Sequence, residues 1–341
     1  MQEQKIQEKF YGDFGEMKYE TIVLSEERNV TLTTYMIEGS AGYQEFIKRP
    51  LVLICPGGGY SHLSKREAEP IAMRYLSAGI HAAILLYGIQ EHAVAPGPLK
   101  DIAQAVAFLR DRADEYCIDN DSIYVCGFSA GAHVACQLGV FWNNPELLPE
   151  YKENPERVKP NGMILAYPVI DLHASATHLD IGIRPGTDIN DVYYDQKHPK
   201  MPLSEMIVMD EKEGRYFINF EKSMNAYIFD GMYTPEQEDF YSLQNQVSSD
   251  TPPAFIWHAG GDGLISPTNS LDLASALYKH GIPVELHLYD GGNHGISLAD
   301  HTTAGCPNDY YPYAKSWMQH SIDWILSRSG LEKQILDSFN S

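Results

Sequence analysis

Gly127-Phe128-Ser129-Ala130-Gly131 is a G-x-S-x-G set between two runs of opposite character, and it constrains the fold more than any other stretch of the chain. Before it, Ser122-Ile123-Tyr124-Val125-Cys126 is rich in β-branched and aromatic residues; after it, Ala130 to Phe141 carries Val134, Leu138 and Phe141 at helical spacing. A serine on such a strand-to-helix turn is forced into a tight backbone conformation, with its hydroxyl projecting above a parallel sheet. The flanking glycines let strand and helix approach without Cβ clashes. Ser129 is therefore the candidate nucleophile. The pentapeptide also fits a plain glycine-rich turn, so the partners of Ser129 have to decide its meaning.

Composition narrows the partners. The 341 residues are 44% hydrophobic and 21% charged, an ordinary globular balance that leads us to expect one α/β domain with an insertion. A formal charge of −21 repels phosphate backbones and anionic lipid surfaces, so neither nucleic acid nor membrane is an expected partner. Residues Met1 to Phe10 lack the apolar core of a signal peptide, and no apolar run is long enough to span a bilayer, so the expected location is cytoplasmic. The five cysteines are odd in number, and several lie in apolar patterns where a thiol acts as a small hydrophobe. Without a C-x-x-C pair or H-x-x-x-H spacing, no metal or disulfide enters the expectation.

From Leu51 onward, short apolar runs alternate with longer amphipathic segments, the pattern of a mostly parallel, doubly wound sheet with helices on both faces. Strands are expected at Leu51–Cys55, Ala82–Tyr87, Ser122–Cys126, Met163–Tyr167, Ala254–His258 and Val284–Tyr289, with Thr21–Ser25 and Val30–Ile37 forming an edge hairpin. Helices are expected at Lys65–Ser77, Leu99–Asp114, Ala130–Phe141, Thr268–His280 and Ala314–Ser327. Residues 173–250 break the rhythm before the penultimate strand. An excursion of that length is either a cap over the carboxyl edge of the sheet or a peripheral or oligomer-contact segment; the cap is the favoured reading.

A serine hydroxyl needs a base to take its proton and a carboxylate to hold that base in the right tautomer. Asp262 follows the strand ending in Trp257-His258, and His294 follows the strand ending at Tyr289. Loops at the carboxyl ends of parallel strands converge on one edge, so these two residues can meet Ser129 despite their sequence separation. His258, at its strand tip, is the competing base and ranks lower. The developing oxyanion needs donors, and Pro56-Gly57-Gly58-Gly59-Tyr60 supplies backbone N–H groups directly after a strand. Gly58 and Gly59, with Ala130, are the expected oxyanion donors, and Tyr60 and His62 the candidates for lining the substrate pocket. A phosphate-binding glycine loop is the weaker alternative, because no Lys-Ser/Thr follows and the G-x-G-x-x-G spacing is absent. Ser64-Lys65-Arg66-Glu67 reads as a capping box opening the next helix.

These motifs together, with Arg66, Glu67 and Glu69 after the glycine run, Ala132 and His133 after the elbow and the Asn293-His294-Gly295 loop, resemble bacterial α/β-hydrolase esterases of the acetyl esterase or acetylxylan esterase type, related to the hormone-sensitive lipase group. The likeness runs from about Leu51 to Leu326. It implies a serine carboxylesterase acting without a cofactor on small acyl groups, often acetyl, carried by sugars or xylo-oligosaccharides. Pro56 stands where such enzymes commonly carry a histidine, which leaves the subfamily and the natural alcohol open, and Ala132 replaces a frequent glycine. Rival readings are an arylformamidase or a peptidase using the same triad. From a different class, a non-catalytic binding protein of the same fold predicts a broken triad, whereas Ser129, Asp262 and His294 are all present.

Overall fold

Alternation along the strands assigns successive side chains to two separate cores. In the computed structural model, which describes residues 18–39, 47–173, 178–183, 201, 207–210, 212 and 214–338, Leu51, Leu53 and Cys55 enter one core and Val52 and Ile54 the other. The amino-terminal residues 1–17 and much of 173–250 lie outside the described residues.

The strands in chain order are β1 (Lys18–Ser25), β2 (Val30–Met36), β3 (Arg49–Cys55), β4 (His81–Leu86), β5 (Ile118–Phe128), β6 (Gly162–Ala166), β7 (His178–Ile183), β8 (Ile207–Asp210), β9 (Arg215–Asn219), β10 (Ala254–Ala259) and β11 (Val284–Tyr289). Eight form one sheet in the order β1-β2-β4-β3-β5-β6-β10-β11. Only the β1–β2 and β2–β4 pairings are antiparallel, as the expected edge hairpin requires. From β4 to β11 the pairing is parallel, so the carboxyl ends of β3, β5, β10 and β11 open onto one edge.

The helices are α1 (Glu69–Ser77), α2 (Gly97–Asp111), α3 (Ala130–Phe141), α4 (Phe220–Ile228), α5 (Pro235–Tyr241), α6 (Thr268–Lys279), α7 (Ser316–Leu326) and α8 (Leu331–Ser338). One sheet face packs on α2, α3 and α6 through Leu99, Val106, Val134, Leu138 and Leu273. The other packs on α1 and α7 through Ile71, Tyr75, Trp317 and Ile325. Every residue of β3 is buried, and each fully buried Leu, Ile or Val contributes about 1.5–3 kcal/mol against exposure, so the central strands anchor the molecule.

Two expectations change. The helix expected over Lys65–Ser77 is a single tight turn, Lys65–Glu67, followed by α1, because Ala68 leaves helical geometry at φ −113°, ψ −106°. Ser64 makes no side-chain cap, and Glu67 turns inward to accept the Gly57 N–H at 2.8 Å. The region 173–250, which lacked any strand-helix rhythm, contains a separate antiparallel sheet, β7-β9-β8, followed by α4 and α5. Asn219 caps α4 by accepting the Lys222 N–H at 3.0 Å, and Thr234 with Gln237 closes a capping box on α5.

Helix α3 begins where β5 ends and presses onto the end of β3: a Cβ on Gly131 would lie 2.1 Å from the Cys55 carbonyl oxygen. The clash is with backbone, so no rotamer relieves it. Gly131→Ala is expected to cost at least about 2 kcal/mol in urea denaturation, in the range of core overpacking. Wild-type stability in that variant would show that strand and helix are free to separate.

Candidate active site

The turn from β5 into α3 holds Ser129 at φ 51°, ψ −119°, a region that non-glycine residues enter at a cost of about 1–3 kcal/mol. The Ser129 N–H donates to the Ala166 carbonyl at the end of β6 (3.0 Å), which fixes the strained residue to the sheet. Its hydroxyl donates to His294 Nε2 at 2.8 Å, and His294 Nδ1 donates to Asp262 Oδ2 at 2.7 Å. The three residues proposed from their places at strand ends are therefore in one hydrogen-bonded line.

Asp262 is enclosed, with no exposed side-chain surface. Its Oδ1 accepts the Leu264 and Ile265 N–H groups, each at 2.9 Å, and its Oδ2 accepts His258 Nε2 at 3.1 Å beside His294. Burial opposes the charge, but the hydrogen bonds from His258 and His294 outweigh it and hold the carboxyl well below the usual carboxylate range. Asp262 is thus an acceptor throughout, which places the His294 proton on Nδ1 and leaves Nε2 to receive the serine proton.

His258, the competing base, has both ring nitrogens engaged elsewhere. Nε2 reaches Asp262 and the Ile265 carbonyl, and Nδ1 lies 2.8 Å from Ser270 Oγ. It braces the carboxylate from behind.

The glycine loop after β3 lies against the serine: a Cβ on Gly57 would be 3.0 Å from Ser129 Cβ. Gly57 spends its N–H on Glu67, whereas among the described residues the Gly58 and Gly59 amides donate to no partner. Gly58 sits at φ 135°, reached readily only by glycine. Ala130 is the first residue of α3, where N–H groups have no intrahelical acceptor. The arrangement can accept a proton from a hydroxyl and present backbone donors beside the atom attacked.

Tyr60 does not line a pocket. Its backbone turns through φ 63° and its side chain is 1% exposed, with the hydroxyl 2.7 Å from His133 Nδ1. His133 Nε2 donates to the Tyr241 carbonyl at the end of α5 (2.9 Å), so Tyr60 and His133 join the glycine loop to the region 173–250. The expectation that Tyr60 lines the substrate pocket is corrected: its side chain is buried behind the loop. His62 is exposed, with Nδ1 3.0 Å from Ser61 Oγ. Phe220, which the sequence did not single out, reaches the site from α4: its Cζ would lie 3.0 Å from a Cβ on Gly59.

Residues 43–277 match the BD-FAE family. The chain belongs to that family. Its fold is that of an α/β-hydrolase: an α/β hydrolase enzyme from a Medee basin deep-sea metagenome library superposes with a TM-score of 0.64 at 30% identity, over 92% of this chain and 99% of the other. Among curated relatives, endo-1,4-beta-xylanase B of Butyrivibrio fibrisolvens is 29% identical over 76% of this chain and 34% of its own length. The acetylxylan esterase of Xylanibacter ruminicola is 26% identical over 90% of this chain and 50% of its own length. The chain therefore spans half or less of the length of these two relatives. Among the described residues of this family member, no helix is long and apolar enough to cross a membrane.

Two predictions follow from the site. If Ser129, His294 and Asp262 work as one unit, Ser129→Ala is expected to lose at least about 10³-fold in ester-hydrolysis kcat, with His294→Ala and Asp262→Asn severely impaired and little further loss on combining them. His258→Gln, which keeps a donor for Asp262, is expected to lose less than about tenfold; a larger loss than His294→Ala would identify His258 as the base.

The second concerns pH. Burial lowers His133 and His81 to about 4 from 6.5, even though hydrogen bonds to backbone carbonyls oppose the shift. Between those limits only the unfolded chain binds their protons. Their contribution is complete above pH 6.5 and is lost as the pH falls toward 4. Urea denaturation should show stability falling by up to about 1.4 kcal/mol per pH unit for each histidine, and His133→Gln should remove one such share of the slope. An unchanged slope would contradict it.

Proposed function

We propose that the protein is a serine carboxylesterase that removes short acyl groups, acetyl foremost, from hydroxyl groups of sugars or xylo-oligosaccharides. The observation that carries this reading is the unbroken line from Ser129 Oγ through His294 to Asp262, at 2.8 and 2.7 Å, beside a loop whose Gly58 and Gly59 amides are uncommitted. The similarity to an acetylxylan esterase supports the choice of acyl group and alcohol.

In this mechanism His294 Nε2 takes the Ser129 proton as Oγ attacks the ester carbonyl, and the Asp262 carboxylate stabilises the imidazolium. The amides of Gly58, Gly59 and Ala130 receive the oxyanion, each donor being worth on the order of 3 kcal/mol. His294 returns the proton to the leaving alcohol. Water, deprotonated by the same nitrogen, then releases the acid from Ser129. A fluorophosphonate should label Ser129 in the wild type and not in His294→Ala.

We assign the limit on acyl length to Phe220, whose ring stands against Gly59 at the face of the loop. Residues 173–250 would then act as a cap. Each methylene that an apolar pocket discriminates changes binding by about 1–3 kcal/mol, so two steps near 1.4 kcal/mol give about 10²-fold. Acetyl esters are expected to exceed octanoyl esters in kcat/KM by about 10²-fold or more, and Phe220→Ala to narrow that ratio by about tenfold. Equal use of octanoate by the wild type, or a ratio unmoved in Phe220→Ala, would remove Phe220 from this role. Rapid hydrolysis of formyl-anilides, with acetylated xylo-oligosaccharides left intact, would exclude the sugar ester as substrate.

A further inference from the structure

One buried carboxylate touches both halves of the site without belonging to the triad. Glu67 is 3% exposed, and its Oε2 accepts the Gly57 N–H at 2.8 Å. Its Oε1 accepts the Tyr167 O–H at 2.6 Å, and the Tyr167 oxygen accepts the Ser297 N–H at 3.1 Å. Tyr167 also packs edge-on against the His294 ring, with centroids 5.0 Å apart. The neighbouring Arg66 holds the same histidine loop from its other side: Nη2 donates to the Gly295 carbonyl at 3.1 Å, and the Arg66 carbonyl accepts Ser297 Oγ at 2.7 Å.

Every proton in this chain points toward Glu67. Ser297 donates to Tyr167, Tyr167 donates to Oε1, and Gly57 donates to Oε2. Only an ionised carboxylate offers two acceptor oxygens and no donor, so the pattern as it stands fits glutamate and no uncharged residue of the same length. Burial pushes the Glu67 carboxyl up from its ordinary value, while the bonds from Tyr167 and Gly57 and the nearby Arg66 guanidinium pull it back. A buried carboxylate with no ion pair of its own persists at a cost unless its hydrogen bonds do something the fold requires. Here the bonds end on the two loops whose relative placement decides whether donors and base address the same carbonyl.

We propose that Glu67 is a positioning residue for the reaction: its carboxylate locks the glycine loop and the His294 loop together, so that the Gly58 and Gly59 amides and His294 Nε2 converge on one substrate atom. This inference rests on the esterase reading of Ser129. Misplacement of reacting groups by about 1 Å costs on the order of 10²-fold, and binding of the ground-state ester depends little on such alignment.

The test uses the full chain with Glu67→Gln, which keeps length and volume but sets an NH2 group against one of the two donors, and Tyr167→Phe, which removes the hydroxyl that bridges Glu67 Oε1 and the Ser297 N–H while leaving the bond from Gly57. Active protein is counted by fluorophosphonate titration of Ser129, and kcat per labelled site is measured on an acetyl ester. Affinity is measured for a trifluoromethyl ketone, which forms a tetrahedral adduct on the serine. The expected result for Glu67→Gln is a fall in kcat of about 10- to 100-fold with KM within about threefold, and weakening of the ketone in the same proportion. Tyr167→Phe should show the same pattern at about tenfold. A purely structural role would lower the titrated fraction or the melting temperature and leave kcat per site unchanged. That outcome overturns the proposal, as does an unchanged ketone affinity. If Glu67→Gln does not fold, Tyr167→Phe decides alone, and kcat per site within twofold of wild type refutes the coupling. Failure of wild-type Ser129 to react with the fluorophosphonate would instead refute the esterase reading itself.

Discussion

The close approach of α3 to the end of β3 sets the terms for the rest of the structure. With the Cys55 carbonyl 2.1 Å from where a Gly131 Cβ would stand, β3 and α3 meet at backbone contact, two residues after the turn at Ser129. Ser129, which joins β5 to α3, takes a positive φ, and its hydroxyl lies 2.8 Å from His294 Nε2. The same contact brings the glycine loop, which leaves β3 at that point, against Ser129 Cβ. Nucleophile and backbone donors are neighbours because two elements are pressed together.

Around this pinch the polar groups form two closed sets. In one, Asp262 takes four hydrogen bonds and lies between His294, which reaches the serine, and His258, which does not. In the other, Glu67 takes its bonds from Gly57 and Tyr167. Each carboxylate is shielded from water and has both oxygens engaged by donors, which is the condition under which a buried charge holds its surroundings in one geometry. Two acidic residues with equal side-chain chemistry thus serve different loops, one orienting the base and one tying that base's loop to the glycine loop.

The strands, the elbow and the Ser129, Asp262 and His294 constellation were legible in sequence, because a parallel sheet needs apolar runs and serine chemistry needs these residue types after them. Glu67 was not. A glutamate three places after Ser64 satisfies the pattern of a helix cap, and nothing local to Ser64-Lys65-Arg66-Glu67 says that Tyr167, one hundred residues on, will offer it a proton. Tyr60 was misplaced because its direction depends on a φ of 63°, a backbone choice that the residue type does not announce. The region 173–250 hid its strands for a different reason: β8 spans only Ile207–Asp210, and short antiparallel strands carry too few residues for a period to emerge.

Phe220 belongs to a different stretch of chain from every group that handles protons. His294, Asp262, Ser129 and the glycine loop all issue from the ends of β3, β5, β10 and β11, whereas the ring facing Gly59 arrives on α4. If Phe220 limits the acyl group as proposed, substitution there changes what the site admits without touching Ser129, Asp262 or His294. The stretch is also anchored in the main core: Met224, Tyr227 and Ile228 of α4 pack in the core shared with α2 and α3, and bonds from His133 to the Tyr241 carbonyl and from Asn225 to the Leu172 carbonyl join it to the rest. On our proposal a new substrate is sought by changing Phe220 itself, because its neighbours Met224, Tyr227 and Ile228 are committed to the core and exchanging the whole stretch would unpack it.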